Sequence, residues 1–256
     1  MDLRLHGNVA IVTGGSRGLG RATAFALARE GASVFICARG DETLQRTISE
    51  MSTAGLTARG VAADVTTAAG CESVIRGAHE AFGGVDILVN NVGGGQGPSA
   101  IGSTDDDWQQ SLELTLFPSI RMSRLAVPIM KGRGGGAIVM IASIYGRESG
   151  GRATYNASKA AEISLAKSMA RELAPDNIRV NSVAPGSIIF PGGSWERRQQ
   201  ADPVAIQKMI DDDLPFGRFG APDEVADVVT FLVSPRAAWI AGACITVDGC
   251  QSRSLI

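Results

Sequence analysis

An α/β fold with a doubly wound parallel sheet is what this sequence predicts, on three observations. Apolar β-type runs alternate with helical segments along the whole chain, as in a parallel sheet covered by helices on both faces. Right-handed crossovers between such runs wind the sheet in both directions. No linker or internal repeat divides the 256 residues, so one domain over 1–256 is expected.

The elements follow in order. The first strand covers about 8–13 (Asn8-Val-Ala-Ile-Val-Thr13) and passes through a glycine-rich turn into an alanine-rich helix at about 18–30. A second apolar run at about 33–38 (Ser33-Val-Phe-Ile-Cys-Ala38) precedes a helix at about 41–54. Further strands are expected at about 57–63, 86–90, 136–142, 178–184 and 244–247. Helices lie between them at about 67–82, 105–131, 155–174 and 222–233. The clusters Gly93-Gly-Gly-Gln-Gly97 and Gly132-Arg-Gly-Gly-Gly136 read as loops. One irregular insertion, Ser187 to about Asp213, carries Pro191-Gly-Gly-Ser-Trp195 and then a charged helical piece.

Composition removes several classes of function. Net charge is −2 and the sequence pI about 5.8, with no basic stripe, so electrostatics make no case for nucleic acid. No apolar run reaches the ~18 residues of a membrane span. Met1-Asp-Leu-Arg-Leu-His6 lacks the apolar centre of a signal peptide, and the cytoplasm is the expected compartment. Cys37, Cys71, Cys244 and Cys250 form no C-x-x-C pair; Cys37 and Cys244 fall in expected strands and read as small buried apolar residues. His6 and His79 fit no ligand pattern, so no metal site is expected.

Two motifs carry chemistry. Tyr155-Asn-Ala-Ser-Lys159 places a phenol and an amine four residues apart, on one face of a helix. A free phenol titrates near ~10; a neighbouring ammonium favours the phenolate and makes the pair a proton donor and acceptor suited to neutral pH. Gly14, Gly18 and Gly20 follow the first strand and open the first helix, with Thr-Gly-x-x-x-Gly-x-Gly spacing. Glycines let a backbone approach a pyrophosphate closely, and a helix N-terminus offers it unpaired N–H groups.

Thr13 to Gly20, Asn90-Asn91-Val92-Gly93, Ser143, Tyr155-x-x-x-Lys159 and Pro185-Gly186 stand in the order of the classical short-chain dehydrogenases/reductases, which the chain resembles from about Leu5 to Gly249. The glycine segment, Arg179-Val-Asn-Ser-Val-Ala-Pro-Gly186 and Val247-Asp-Gly249 look most like bacterial 3-oxoacyl-[acyl-carrier-protein] reductases. The resemblance implies a Rossmann-like seven-stranded sheet in the order 3-2-1-4-5-6-7, with a mobile substrate lid at about 187–213. It also implies a homotetramer, its helices at 105–131 and 155–174 packing across one interface.

By the same resemblance, Tyr155 gives or takes the proton. Lys159 lowers its pKa and bonds the nicotinamide ribose, and Ser143 stabilises charge on the substrate oxygen. Cofactor contacts are implied for Gly14, Ser16, Arg17, Gly18, Leu19, Gly20, Asp64, Val65, Asn91, Gly93, Pro185, Gly186 and Ile188, with Asn90 supporting the sheet edge. At the end of the second strand, where NAD-preferring members carry an acid, the chain has Ala38 and then Arg39. A carboxylate there repels a 2′-phosphate, whereas Arg39 and Arg17 can bind one, so NADP(H) is expected over NAD(H).

Three positions depart from the family. Counting seven residues from Trp108 reaches Thr115 rather than the usual asparagine, which helps hold a water beside the lysine. Pro118 follows, and a kink there would free a backbone carbonyl for that water. Val92 replaces an alanine, and Phe190 a threonine that bonds the carboxamide. Tyr145 has Ser149 four residues on and reads as a pocket wall, with Phe190, Trp195 and the 93–97 loop. The leading expectation is a ketone reductase of the 3-oxoacyl type, acting on a small carbonyl or an acyl-carrier thioester. Arg147, Arg152, Arg197 and Arg198 are candidates to meet an acidic carrier, or plain surface charge. The alternatives are a dehydrogenase of a secondary alcohol, sugar alcohol or steroid, and an NADP(H) sensor without turnover.

Overall fold

The computed structural model describes residues 2–255; Met1 and Ile256, the ends of the expected span, lie outside them. Seven parallel strands form one sheet: β1 Val9–Thr13, β2 Ser33–Ala38, β3 Ala58–Ala62, β4 Ile87–Asn90, β5 Gly136–Ile141, β6 Ile178–Pro185 and β7 Cys244–Val247. Their order is β3-β2-β1-β4-β5-β6-β7, as expected. Among the described residues eight α-helices accompany them: α1 Gly18–Arg29, α2 Asp41–Thr53, α3 Ala68–Phe82, α4 Asp105–Gly132, α5 Ala153–Leu173, α6 Ser194–Ala201, α7 Pro203–Asp213 and α8 Pro222–Val233.

Alternation along each strand builds a core on both faces of the sheet. From β1 and β5, Ala10, Val12, Ala137, Val139 and Ile141 pack with residues of α1, α2 and α8, including Leu27, Leu44 and Val229. Ile11, Ile138 and Met140 point the other way, onto Val74 of α3, Met122 of α4 and Ala166 of α5. The inserted helices have a small core of their own: Ile206, Ile210, Leu214 and Phe219, with Trp195 against them. Cys37 is buried as expected; Cys244 is in β7 but only half-buried, because β7 is an edge strand.

The order reverses between β1 and β4, which leave the sheet in opposite directions at their carboxyl ends. Such switch points open a crevice for ligands. At the opposite, amino end of the sheet lies Arg179 of β6. Its guanidinium donates to the carbonyls of Leu232, Ser234 and Ala237, tying the end of α8 to the sheet. No helix among the described residues is long and apolar enough to cross a membrane.

Candidate active site

The glycine turn is held by backbone and by one amide. Gly14 and Gly18 have positive φ, 66° and 53°, which glycine adopts without steric cost. A Cβ on Gly20 would lie 2.6 Å from Asn91 Nδ2 and closer still to the Gly14 carbonyl oxygen, so only glycine lets α1 start this near β1. Asn91 Nδ2 donates to the Thr13 carbonyl at 2.9 Å, and the Asn91 N–H donates to Thr13 Oγ1 at 2.9 Å, stapling β4 to the turn. This cradle, a bare backbone at a helix N-terminus beside the switch point, fits a dinucleotide pyrophosphate. Asn90 points into the core instead, where its Nδ2 donates to Ser123 Oγ at 3.2 Å.

Around the cradle, Arg17 and Arg39 are exposed, and neither guanidinium forms an ion pair or hydrogen bond among the described residues. Ser16, through its carbonyl, accepts from Thr47 Oγ1, and Leu19 packs against the core from the first turn of α1. Asp64 is exposed and accepts from the N–H and hydroxyl of Thr66, while Val65 is buried. Across the crevice, Pro185 ends β6. Gly186 sits against Asp248, where a Cβ would lie 2.7 Å from that side chain. Ile188 bridges to Gly220 through its neighbours, the Ile189 N–H and the Ser187 carbonyl, so its own amide is unengaged among the described residues. Phe190 lies on the glycine turn: a Cβ on Gly18 would be 2.7 Å from its ring.

The catalytic candidates lie just past β5, Ser143 two residues beyond its end and Lys159 reaching the Ile141 carbonyl there. Ser143 follows β5, is 7% exposed, and accepts from the Tyr145 N–H at 3.2 Å. Tyr155 and Lys159 share one face of α5, the ammonium 5.8 Å from the ring centroid. The 93–97 loop presses on that face. A Cβ on Gly93 would be 2.7 Å from Lys159 Nζ, and one on Gly95 2.6 Å from Tyr155 Cβ. Lys159 Nζ donates to the Ile141 carbonyl at 2.6 Å and to Glu162 Oε2 at 2.7 Å, leaving one of its three N–H donors for a further partner. Burial alone favours the neutral amine; the charges of Glu162 and Tyr155 outweigh it and hold Lys159 above the ordinary lysine value.

Thr115 is fully buried and exchanges two hydrogen bonds with Gly94, donating to its carbonyl at 2.8 Å and accepting from its N–H at 3.0 Å. It therefore holds the loop that presses on Lys159. α4 stays helical through Pro118, over 28 residues, and because proline has no N–H the Leu114 carbonyl goes without its usual helical donor. Packing on α3, α5 and the sheet sustains the helix despite the missing N–H.

A cavity of about 590 Å³ opens beside this site, lined by Ile144, Tyr145, Trp195, Met209 and the charged Glu148, Asp213 and Arg253. Tyr145 and Trp195 line it as expected. Phe190 and the 93–97 loop do not, because they pack on the glycine turn and on α5. The C-terminal tail, unanticipated from the sequence, forms part of the wall. Glu148 Oε2 accepts from Ser252 Oγ and from the N–H groups of Arg253 and Ser254, at 2.8, 3.0 and 3.1 Å. No local pattern announces that clamp, since its members are a hundred residues apart. Glu162, also missed, had a signal: it follows Lys159 at i+3. Three of the four arginines considered for a carrier are tied to the chain itself: Arg147 to Thr246, Arg152 to the Gly95 carbonyl and Arg197 to the Gly192 carbonyl. Arg198 stacks over Trp195. Among the described residues no cluster of His, Cys, Asp or Glu is placed to hold a metal.

Residues 8–200 match the family model for short chain dehydrogenase. The 3-oxoacyl-[acyl-carrier-protein] reductase of Vibrio cholerae is 36% identical over 96% of this chain and 98% of its own length. Two solved structures superpose closely. L-sorbose reductase from Gluconobacter frateurii, complexed with NADPH and L-sorbose, has a TM-score of 0.93 and 35% identity, covering all of both chains. A 7α-hydroxysteroid dehydrogenase complexed with NADH and 7-oxo glycochenodeoxycholic acid has a TM-score of 0.91 and 33% identity, covering 100% of this chain and 98% of that one. The chain belongs to the short-chain dehydrogenase family. It is accordingly an oxidoreductase of the class that interconverts alcohols and carbonyls.

Proposed function

We propose that the protein is an NADP(H)-dependent ketone reductase whose proton donor is Tyr155. The observation that carries this reading is the placement of Tyr155 directly over a buried, charged Lys159, at the sheet end where Ser143 leaves β5. The nicotinamide cofactor, when bound, supplies the hydride. Tyr155 gives its hydroxyl proton to the substrate oxygen in reduction and takes it back in oxidation. Ser143 bonds the same oxygen and stabilises the charge that develops there. Thr115 acts at a distance, fixing the Gly93–Gly94 backbone against Lys159.

The preference for NADP(H) rests on two unpaired cations, Arg17 and Arg39, and on Ala38 where a ribose-binding acid would repel a phosphate. Gly14, Ser16, Gly18, Leu19 and Gly20 would hold the pyrophosphate end, Asp64 and Val65 the adenine, and Asn91, Gly93, Pro185, Gly186 and the free Ile188 amide the nicotinamide end. The segment 187–213 serves as a lid over the cavity through Trp195 and Met209. Apolar walls with a charged rim suit a ketone that carries polar groups, which agrees with the oxidised steroid and the sugar bound by the two relatives. A cytoplasmic homotetramer is the expected assembly.

The test is NADPH consumption against a panel of β-ketoacyl thioesters, keto sugars, keto steroids and small diketones. Tyr155→Phe should lower turnover by about 10²–10⁴-fold, the usual size of general acid catalysis, with NADPH binding retained. NADPH binding without turnover of any panel member would count against the reductase.

A further inference from the structure

A polar chain lies beneath Tyr155 and Lys159, deeper than the proton transfer itself requires. Glu162 is fully buried between α5 and α4. Its Oε2 accepts from Lys159 Nζ at 2.7 Å, and its Oε1 accepts from the Ser119 hydroxyl at 2.7 Å. Both carboxylate oxygens are therefore engaged. A buried ion pair is a poor way to join two helices, since apolar residues of similar volume commonly do as well or better. Thr115, at the position where the family carries an asparagine, spends its hydroxyl on Gly94.

We propose that Glu162 is a positioning residue for the proton transfer: anchored by Ser119, it clamps Lys159 as a charged ammonium beneath Tyr155. This rests on the reductase reading for its consequence but not for its geometry. Around Lys159, from α5 come Tyr155 and Glu162; from α4 the uncharged hydroxyls of Thr115 and Ser119; from β5 the Ile141 carbonyl; and from the 93–97 loop Gly93. Tyr155 is the other titratable group that acts on Lys159.

The sign follows from those neighbours. Burial pushes Lys159 towards the neutral amine, and Glu162 is the largest influence opposing it. Burial likewise raises the Glu162 carboxyl, against the pull of Lys159 and Ser119. The proton of the pair stays on the amine, whose ordinary value of about 10.4 lies far above the carboxyl's value of about 4.3. Without the carboxylate, desolvation of Lys159 loses its largest opponent, leaving the Ile141 carbonyl and Tyr155, and the ammonium is lost at a lower pH.

The experiment uses the full chain and its Glu162→Gln, Glu162→Asp and Ser119→Ala variants. The lysines are Lys131, Lys159, Lys167 and Lys208, so ε-carbon-labelled lysine gives few NMR signals, with Lys159 identified by its loss in Lys159→Arg. In the parent protein the Lys159 signal should stay that of an ammonium to beyond the ordinary lysine range. In Glu162→Gln its titration should fall by about two pH units, within the range burial produces. Glu162→Asp should restore part of the fall, and Ser119→Ala should give a smaller one. The alkaline limb of kcat/KM for ketone reduction should move down with the Lys159 titration, rates at low pH changing little. An unmoved Lys159 titration in folded Glu162→Gln overturns the proposal, as does a moved titration with an unmoved pH profile. Should Glu162→Gln not fold, the same two readouts in Ser119→Ala decide. A parent protein that turns over no ketone fails the reductase reading, while the NMR titration still decides whether Glu162 clamps Lys159.

Discussion

The two ends of the crevice are held in different ways. At the β1 end the parts are mostly backbone, glycine turns and a helix N-terminus, held by one side-chain staple from Asn91 to Thr13. Apart from that staple, its closest approach, Gly14 to Gly20, joins residues a few positions apart. At the cavity end the parts are side chains from remote segments, Tyr145, Trp195, Asp213 and Arg253, and Glu148 pins a tail more than a hundred residues away. One end accommodates a cofactor common to a family through geometry that tolerates almost no substitution. The other is assembled from replaceable side chains, which is where relatives with such different named substrates can differ.

The sharpest way to break this contrast is to add one carbon at the rigid end. Gly20→Ala forces the new Cβ against the Gly14 carbonyl and the Asn91 amide, neither of which can give way cheaply. Overpacking of this kind costs about 1–3 kcal/mol, so melting temperature should fall and NADPH affinity drop by at least about tenfold. Retained affinity would show that the turn is softer than it looks. Next in size is Arg39→Asp. Losing one charge-assisted bond and gaining a repulsive carboxylate should weaken NADPH binding by about 10–100-fold and leave NADH binding close to unchanged. An equal loss for both cofactors would remove the 2′-phosphate assignment.

At the adaptable end, Glu148→Gln weakens three hydrogen bonds to the tail without touching the proposed proton transfer. KM for the ketone should rise by about 3–10-fold with kcat near normal, and the C-terminal residues should be trimmed faster by carboxypeptidase. If kcat falls instead and KM holds, the tail is not a substrate wall. The smallest effect lies outside both ends. The Arg218 fork, then the Ala221 N–H, hold exposed Glu224 down at about 2. A lowered acid contributes stability above the ordinary carboxylate range and loses it as pH falls towards 2. Because the pair faces water, the loss should stay below about 1 kcal/mol, and Glu224→Gln should flatten acid unfolding only slightly.

How much of this was legible in advance differs residue by residue. Tyr155 and Lys159 announce their shared face by spacing alone, and Gly14, Gly18 and Gly20 announce a turn before a helix. Pro118 announces a missing N–H by residue type alone, but only packing around α4 decides that the helix continues through it. Phe190 was expected at the substrate and rests on Gly18 instead, since a path through a loop is not written in periodicity. Arg147 and Arg152 looked like free charge and are tied to Thr246 and to the Gly95 carbonyl.

By itself, the sequence determined the strand and helix order, the doubly wound sheet, the glycine turn and the identity of the Ser143, Tyr155 and Lys159 set. The element order and the turn depend on residue type, spacing and period, which are local, and the Ser143, Tyr155 and Lys159 set on motif order shared with a family. Only the tertiary structure decided that Glu162 and Ser119 close beneath Lys159, that Thr115 holds a loop, and that the C-terminal tail walls the cavity. Those contacts join segments far apart in the chain, and their energies depend on burial and on distances that exist only once the sheet and its helices have packed.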